Sequence, residues 1–219
     1  MAKMYPENLP IGIEIYLLGE SKVFEALKSQ LDNTWTVYHN VSWHQSSNNQ
    51  SRQRDGEIDF IIAHPDYGFL VLEVKGGFQI VYHPEKDNWV SINDGMESFD
   101  IKNPYFQARD NKYAFLKNLG TIKDLSKYSS EILEEAINVG YCVAFPDVSR
   151  VSSGLLPIYA SQEITLFTHD IENNLNRKLL KIFDNYSRGK STNMTLISHA
   201  NALLREILAP QFVLDRSLK

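Results

Sequence analysis

The 219 residues combine 43% hydrophobic with 22% charged side chains, which suits one large soluble globular domain, with or without an appendage, and excludes global disorder, collagen repeats and a coiled coil. A single cysteine, Cys142, rules out an internal disulfide and a cysteine-rich zinc site; with no signal-like start over residues 1–10 and no apolar run of about 18 residues, no membrane segment is expected and the cytoplasm is the expected compartment. The net charge of −5 divides into 14 Lys+Arg against 22 Asp+Glu over residues 1–169 and 8 against 5 over 170–219, a balance that disfavours tight non-specific DNA binding by charge alone but leaves room for an enzyme that gathers acids around a divalent cation.

In chain order, GESKVFEALKSQL (19–31) places Val23, Phe24, Leu27 and Leu31 on one helical face. Glu20 stands at the head of that stripe. It is either a first-turn acid facing water or a carboxylate held for a purpose, and spacing leaves both open. WTVYHNVSW (35–43) alternates as a strand buried on one side. HQSSNNQSRQRDG (44–56) has no apolar residue and reads as a loop, with Arg52 and Arg54 as candidate phosphate contacts or incidental charges. FQIVY (78–82) and NWVSI (88–92) form a hairpin around HPEKD. Asn103 and Pro104 cap and open a helix to about Leu119. GYCVAFP (140–146) is a short strand in which Cys142 reads as core. ITLFTHDI gives another strand, followed by a helix capped by Thr168 or Asp170 and running to about Asn185. A last helix spans about 195–208 and stops at Pro210.

EIDFIIAHPDYGFLVLEVKGG (57–77) is the most informative stretch. Two β-rich segments, 57–63 and 69–75, flank the turn-forming HPDYG. Pairing Ala63 with Phe69 gives a register in which partners sum to 132, so Asp59 faces Glu73, Glu57 faces Lys75, and all four share a face. One residue less in the loop would separate Asp59 from Glu73. Carboxylates and an ammonium among Ile58, Phe60, Ile61, Leu72 and Val74 are costly unless they pair or bind something. A divalent cation between Asp59 and Glu73, with the Val74 carbonyl as a third hard oxygen, relieves that cost, and suits Mg²⁺ or Mn²⁺ better than zinc. Lys75 would hold or help deprotonate an attacking water, which is phosphodiester hydrolysis. A purely structural arrangement, with Lys75 paired to Glu57, Glu73 bonded at a strand end and Asp59 capping a turn, is the alternative.

The segments GESKVFEAL (19–27), WTVYHNVSW (35–43), GEIDFIIAHPDYGFLVLEVKGG (56–77), NPYFQARDNKYAFL (103–116) and VAFPD (143–147) resemble the nuclease-related domain, NERD, of the PD-(D/E)XK nuclease superfamily. The resemblance implies a restriction-endonuclease-like α/β fold with a central mixed sheet flanked by helices. It implies a metal held by Asp59 and Glu73 with Lys75 aiding the nucleophile, Glu20 as a helical acid beside the metal, and Gln107 as a polar residue next to the site. A Mg²⁺-dependent deoxyribonuclease in which Mn²⁺ substitutes, acting on DNA in repair or defence, is the expectation. The alternative is a non-catalytic DNA-binding module serving a helicase.

The expected domain spans 1–168, with a helical extension over 169–219. Related proteins often continue into a helicase motor, and ANALLREILAPQFVLDRSLK (200–219) resembles the lead into one. The chain itself carries no G-x-x-x-x-G-K-[ST], because Asp184 stands where Arg188–Ser191 would need the first glycine. An N-terminal part of a nuclease-helicase and a stand-alone relative are both compatible with this. Histidines 39, 44, 64, 83, 169 and 199 lack metal-ligand spacing and read as turn or surface residues. Ser152-Ser153-Gly154 lacks the nucleophile-elbow pattern. Tyr5, Tyr38 and Tyr67 are base-stacking candidates or core.

Overall fold

The structure, a computed structural model, describes residues 1–9, 18–44, 55–149, 151, 156–188 and 192–209. Arg52, Arg54, Ser152-Ser153-Gly154 and Pro210 lie outside the described residues. The elements run β1 (Lys3–Tyr5), α1 (Leu18–Gln30), β2 (Thr36–His44), β3 (Asp55–His64), β4 (Gly68–Val74), β5 (Gln79–His83), β6 (Asn88–Ile92), β7 (Ser98–Ile101), α2 (Pro104–Leu119), α3 (Ser130–Ile137), β8 (Val139–Phe145), β9 (Thr165–Phe167), α4 (Thr168–Asn173), α5 (Leu175–Ser187) and α6 (Met194–Leu208). Six strands form a mixed sheet in the order β1-β2-β3-β4-β8-β9, and β5-β6-β7 form a separate antiparallel sheet. Among the described residues no helix is long and apolar enough to cross a membrane.

The hairpin has the register that its loop length dictates. Ala63 pairs with Phe69, Ile61 with Val71 and Phe60 with Leu72, so partners sum to 132 as expected. Alternation then sends Phe60, Ile62, Leu70 and Leu72 to the side covered by α1 and α5, where Val23, Phe24, Leu27, Leu179 and Phe183 meet them. Ile61, Ala63, Phe69 and Val71 go to the side of α2, α3 and α6, against Phe115, Leu119, Ile137 and Ile197. Covered on both faces, β4 is buried at every residue, which explains its unbroken apolar run. Parallel pairing with β8 continues to Val74↔Ala144, and Lys75 N–H then donates to the Ala144 carbonyl at 2.9 Å.

The period of two fails at one rung. Asn40 has φ +54°, its rung with Asp59 is missing from the β2–β3 ladder, and Val41 and Ile58 join the cluster of Tyr38 and Ile61 instead of that of Phe60. Asparagine tolerates this left-handed backbone better than most residues.

The small sheet hangs from the end of β4. Ser91 donates to the Gly76 carbonyl at 2.9 Å, and the Trp89 ring packs 5.7 Å from Tyr105 at the start of α2. Gly77, at φ +144°, has no room for a side chain there, since a Cβ would lie 2.2 Å from Ser91 Oγ. Asn103 caps α2 as expected, its Oδ1 accepting from Tyr105 N at 3.1 Å and Phe106 N at 3.2 Å.

Three short elements, β1, β7 and α3, have no counterpart in the sequence reading. The single helix expected to about Asn185 is two, α4 and α5, broken at Asn174 (φ −138°, ψ 23°) so that both Ile171 and Leu175 reach the core. Thr168 does not cap it. Its hydroxyl donates to the Pro146 carbonyl, and Asp170 accepts from Phe167 N–H at 3.1 Å.

Candidate metal centre

The centre is built where three elements converge: the middle of β3, the end of β4 and the first turn of α1. Asp59 Oδ2 accepts from Val74 N–H at 2.6 Å, a side-chain bond where the β3–β4 ladder has stopped. Glu73, only 1% exposed, accepts from Lys75 Nζ at 2.6 Å on Oε1. Lys75 therefore pairs with Glu73 and not with Glu57, whose carbonyl instead accepts from Asn111. The Lys75 side chain keeps 21% of its surface open, so a charged tip from a buried strand meets solvent.

α1 brings Glu20 to the same corner. Its first turn can approach because two glycines meet, a Cβ on Gly19 lying 3.1 Å from Gly76 Cα. Asp147, from the VAFPD segment after β8, ties the corner together by accepting from Lys22 Nζ and, at 3.2 Å, from Gly77 N–H. Glu20 itself is held by His39 on β2, Nε2 to Oε2 at 3.1 Å. His39 is 6% exposed, with its ring centroid 4.8 Å from that of Phe60. Reading it as a turn or surface histidine is thus corrected: it sits in a strand, facing inward, where the absence of ligand spacing gives no clue to its partner. His64 is likewise buried, with its ring centroid 4.7 Å from that of Trp35. Tyr38, at 1% exposure, belongs to the core and is no platform for bases.

The electrostatics follow from burial. Loss of solvent pushes the Asp59 carboxyl up to about 8, the nearby Glu73 and Glu20 push the same way, and the Val74 N–H and Lys75 oppose them. Burial likewise raises Glu73 above the usual carboxylate range, against the pull of Lys75. Two acids thus sit beside one lysine, and each resists ionising because burial disfavours its charge and a neighbouring carboxylate would repel it.

α2 reaches this corner through Asn111, and Gln107, four residues earlier, makes no hydrogen bond to any of the site's side chains among the described residues. Gln107 Oε1 is buried with no hydrogen-bond partner. Asn111 Nδ2 reaches the Glu57 carbonyl at 3.1 Å and Glu73 Oε2 at 3.3 Å. Sequence reasoning had Asn111 within the NPYFQARDNKYAFL segment but gave it no part.

Among the described residues no group of three or more His, Cys, Asp and Glu side chains is arranged to share a metal ion. The structure brings together Asp59, Glu73 and Lys75, and keeps Glu20 close enough to act on the two acids by charge while it is bonded to His39. The chemistry of the donors, hard carboxyl oxygens whose ionisation a bound cation would favour, fits a small divalent cation.

A six-stranded mixed sheet clad by helices, with acidic and lysine side chains at the end of a central antiparallel pair, defines an α/β protein of restriction-endonuclease-like architecture. The profile of the nuclease-related domain, NERD, matches residues 17–146, more than half the chain, and the chain belongs to that family. Comparison with curated proteins and with solved structures returned no match.

Proposed function

We propose that this chain is a divalent-cation-dependent deoxyribonuclease that hydrolyses phosphodiester bonds, with Mg²⁺ as its ion, Mn²⁺ as a substitute and the cytoplasm as its compartment. The observation that carries the reading is the convergence of a half-buried Asp59 and a fully buried Glu73 on one corner, with Lys75 bonded to Glu73. Asp59, Glu73 and the Val74 carbonyl would hold the cation, which when bound supplies charge neutralisation at the scissile phosphate and acidifies a coordinated water.

The remaining work falls to the chain. Lys75 is fixed by Glu73 Oε1 yet partly open, so its ammonium sits where it can orient an attacking water or a phosphate oxygen. Gln107 offers an unpaired buried amide oxygen, an acceptor for a water hydrogen. Glu20, held by His39, adds negative charge on the α1 side and strengthens the pull on a cation. A helicase module, in cis or in trans, would be a natural source of unwound substrate.

The test is cleavage of linear, circular, single-stranded and double-stranded DNA with Mg²⁺ and with chelator. Glu73→Ala and Lys75→Met are expected to stay folded and lose cutting by at least about 100-fold. Equal cutting by parent and variants in Mg²⁺ refutes the assignment. Saturable DNA binding without cutting, indifferent to Mg²⁺ and to Glu73, assigns the chain instead as a non-hydrolytic binding module.

A further inference from the structure

We infer that Asn111 is a positioning residue that sets the orientation of the Glu73 carboxylate for cation binding, an inference that rests on the cation-dependent reading above. A lone carboxylate at the end of a strand turns about its last bonds, and a ligand oxygen must be aimed to bind well. Here each Glu73 oxygen has its own anchor. Lys75 Nζ takes Oε1 at 2.6 Å, and Asn111 Nδ2 takes Oε2 at 3.3 Å. The same Asn111 amide nitrogen also donates to the Glu57 carbonyl at 3.1 Å. Both of its hydrogens are thus committed, which fixes the side chain and ties α2 to β3 beside the site.

The chemical type matters as much as the distance. Lys75 already gives Glu73 one cation, and a second lysine or arginine in this place would compete with a divalent ion for the remaining oxygen. A carboxylate would repel it. A neutral amide orients the carboxylate and leaves its charge available, which is the behaviour expected of a group behind a metal ligand. The position on α2 supports the same direction of action. Gln107, one turn earlier on the same face of the helix, has a buried, unpartnered oxygen, so this face of α2 carries amides where its other faces carry apolar packing. The apolar contacts of α2 are made by Tyr105, Ala108, Phe115, Leu116 and Leu119.

The experiment compares parent, Asn111→Leu and Glu73→Gln by calorimetric Mn²⁺ titration, with thermal unfolding in chelator as the control for folding. Leucine keeps the branching of asparagine, with bulkier methyl ends, and removes the donor. The expected result is a Mn²⁺ dissociation constant raised about tenfold in Asn111→Leu, unfolding close to that of the parent in chelator, and kcat on DNA restored to within about threefold by saturating Mn²⁺, while Glu73→Gln is not restored. A structural role alone would lower the unfolding temperature and leave the affinity of the folded fraction intact, and that result overturns the inference. So does an Asn111→Leu affinity within about twofold of the parent while Glu73→Gln loses binding, an outcome that leaves the cation-dependent reading standing. A parent that takes up no Mn²⁺ overturns both. Should Asn111→Leu fail to fold, Asn111→Ala, which opens the Glu57 carbonyl to water, carries the same comparison.

Discussion

Asp59 has an acid's chemistry in a place that disfavours its charge. Burial and the neighbouring Glu73 hold its carboxyl protonated up to about pH 8, against an ordinary 3.8 in the unfolded chain. Between those values the folded protein binds a proton that the unfolded chain has released, so the stabilisation tied to Asp59 is present at low pH and is lost as pH rises through about 8. Glu73 shifts in the same direction and adds to the slope. Without a divalent cation, stability is therefore expected to fall from about pH 5.5 to about pH 8.5 on account of this pair. Asp59→Asn keeps an oxygen to accept the Val74 N–H but carries no charge. It should stabilise the cation-free protein at about pH 8.5 by roughly 2 kcal/mol and flatten the profile. Urea unfolding of parent and variant in chelator at the two pH values checks this, and a parent profile that rises with pH contradicts it. The register behind this prediction was legible in the sequence, because the length of the HPDYG connection sets it, whereas the break in alternation at Asn40 and Asp59 was not. His39 and Asn111 were not legible, since they reach the site from β2 and α2, and no spacing within either element records what lies opposite.

Among the elements, α1 is positioned by what it lacks. Gly19 lets the helix start against Gly76 and Pro146, and the distances of 3.1 Å and 3.2 Å that a Cβ would meet leave no slack. Glu20 follows directly and keeps its bond to His39 only while α1 sits this close. In Gly19→Ala the helix must withdraw by a few tenths of an ångström or push the Gly76 backbone, at a cost of about 1–2 kcal/mol. The larger effect should be functional. With Glu20 and the chain around Gly76 displaced from Asp59 and Glu73, Mn²⁺ affinity is expected to fall about tenfold by calorimetry, with the far-ultraviolet spectrum unchanged. Unaltered affinity would mean that the glycine contact has no bearing on the site. Apolar spacing made α1 legible in the sequence, and the Asn103–Pro104 start made α2 legible. β1 and β7 are three and four residues long, too short for alternation to register. The eight-residue α3 follows a turn-rich stretch and shows two buried positions, Leu133 and Ile137, one turn apart.

Across the whole molecule, the helices after residue 168 share the core of the sheet. Leu175, Leu179, Ile182 and Phe183 of α5 are fully buried in the same cluster as Val23, Phe24, Trp35, Leu70 and Leu72. Polar contacts lock them in place. Gln30 on α1 donates to the Ile171 carbonyl at 2.6 Å, Tyr186 donates to the Tyr141 carbonyl at 2.9 Å, and Asn138 Nδ2 reaches both the Tyr67 carbonyl at 2.8 Å and that of Phe183 at 3.4 Å. Gly140 is shaped to the same helix, for a Cβ there would lie 2.3 Å from the Tyr186 ring. On the other face, Ile197, Ala200 and Leu204 of α6 complete the cluster of Tyr38, Leu133 and Ile137. None of this sharing could be read from an amphipathic helix alone, which announces that it has a buried face but not whose core receives it. At about 2 kcal/mol for each fully buried large apolar side chain, the four from α5 contribute on the order of 8 kcal/mol, comparable with the roughly 5–15 kcal/mol net stability of a typical domain. A chain cut to residues 1–168 would also expose the surface of Trp35 and Leu70 that α5 covers. It is therefore expected to lose cooperative unfolding and to bind a hydrophobic dye, whereas residues 1–209 should unfold in a single transition close to that of the full chain. Urea titration followed by tryptophan fluorescence compares the three, and a sharp, parent-like transition in 1–168 would show that the sheet and its acidic corner form a unit independent of the helices beyond it.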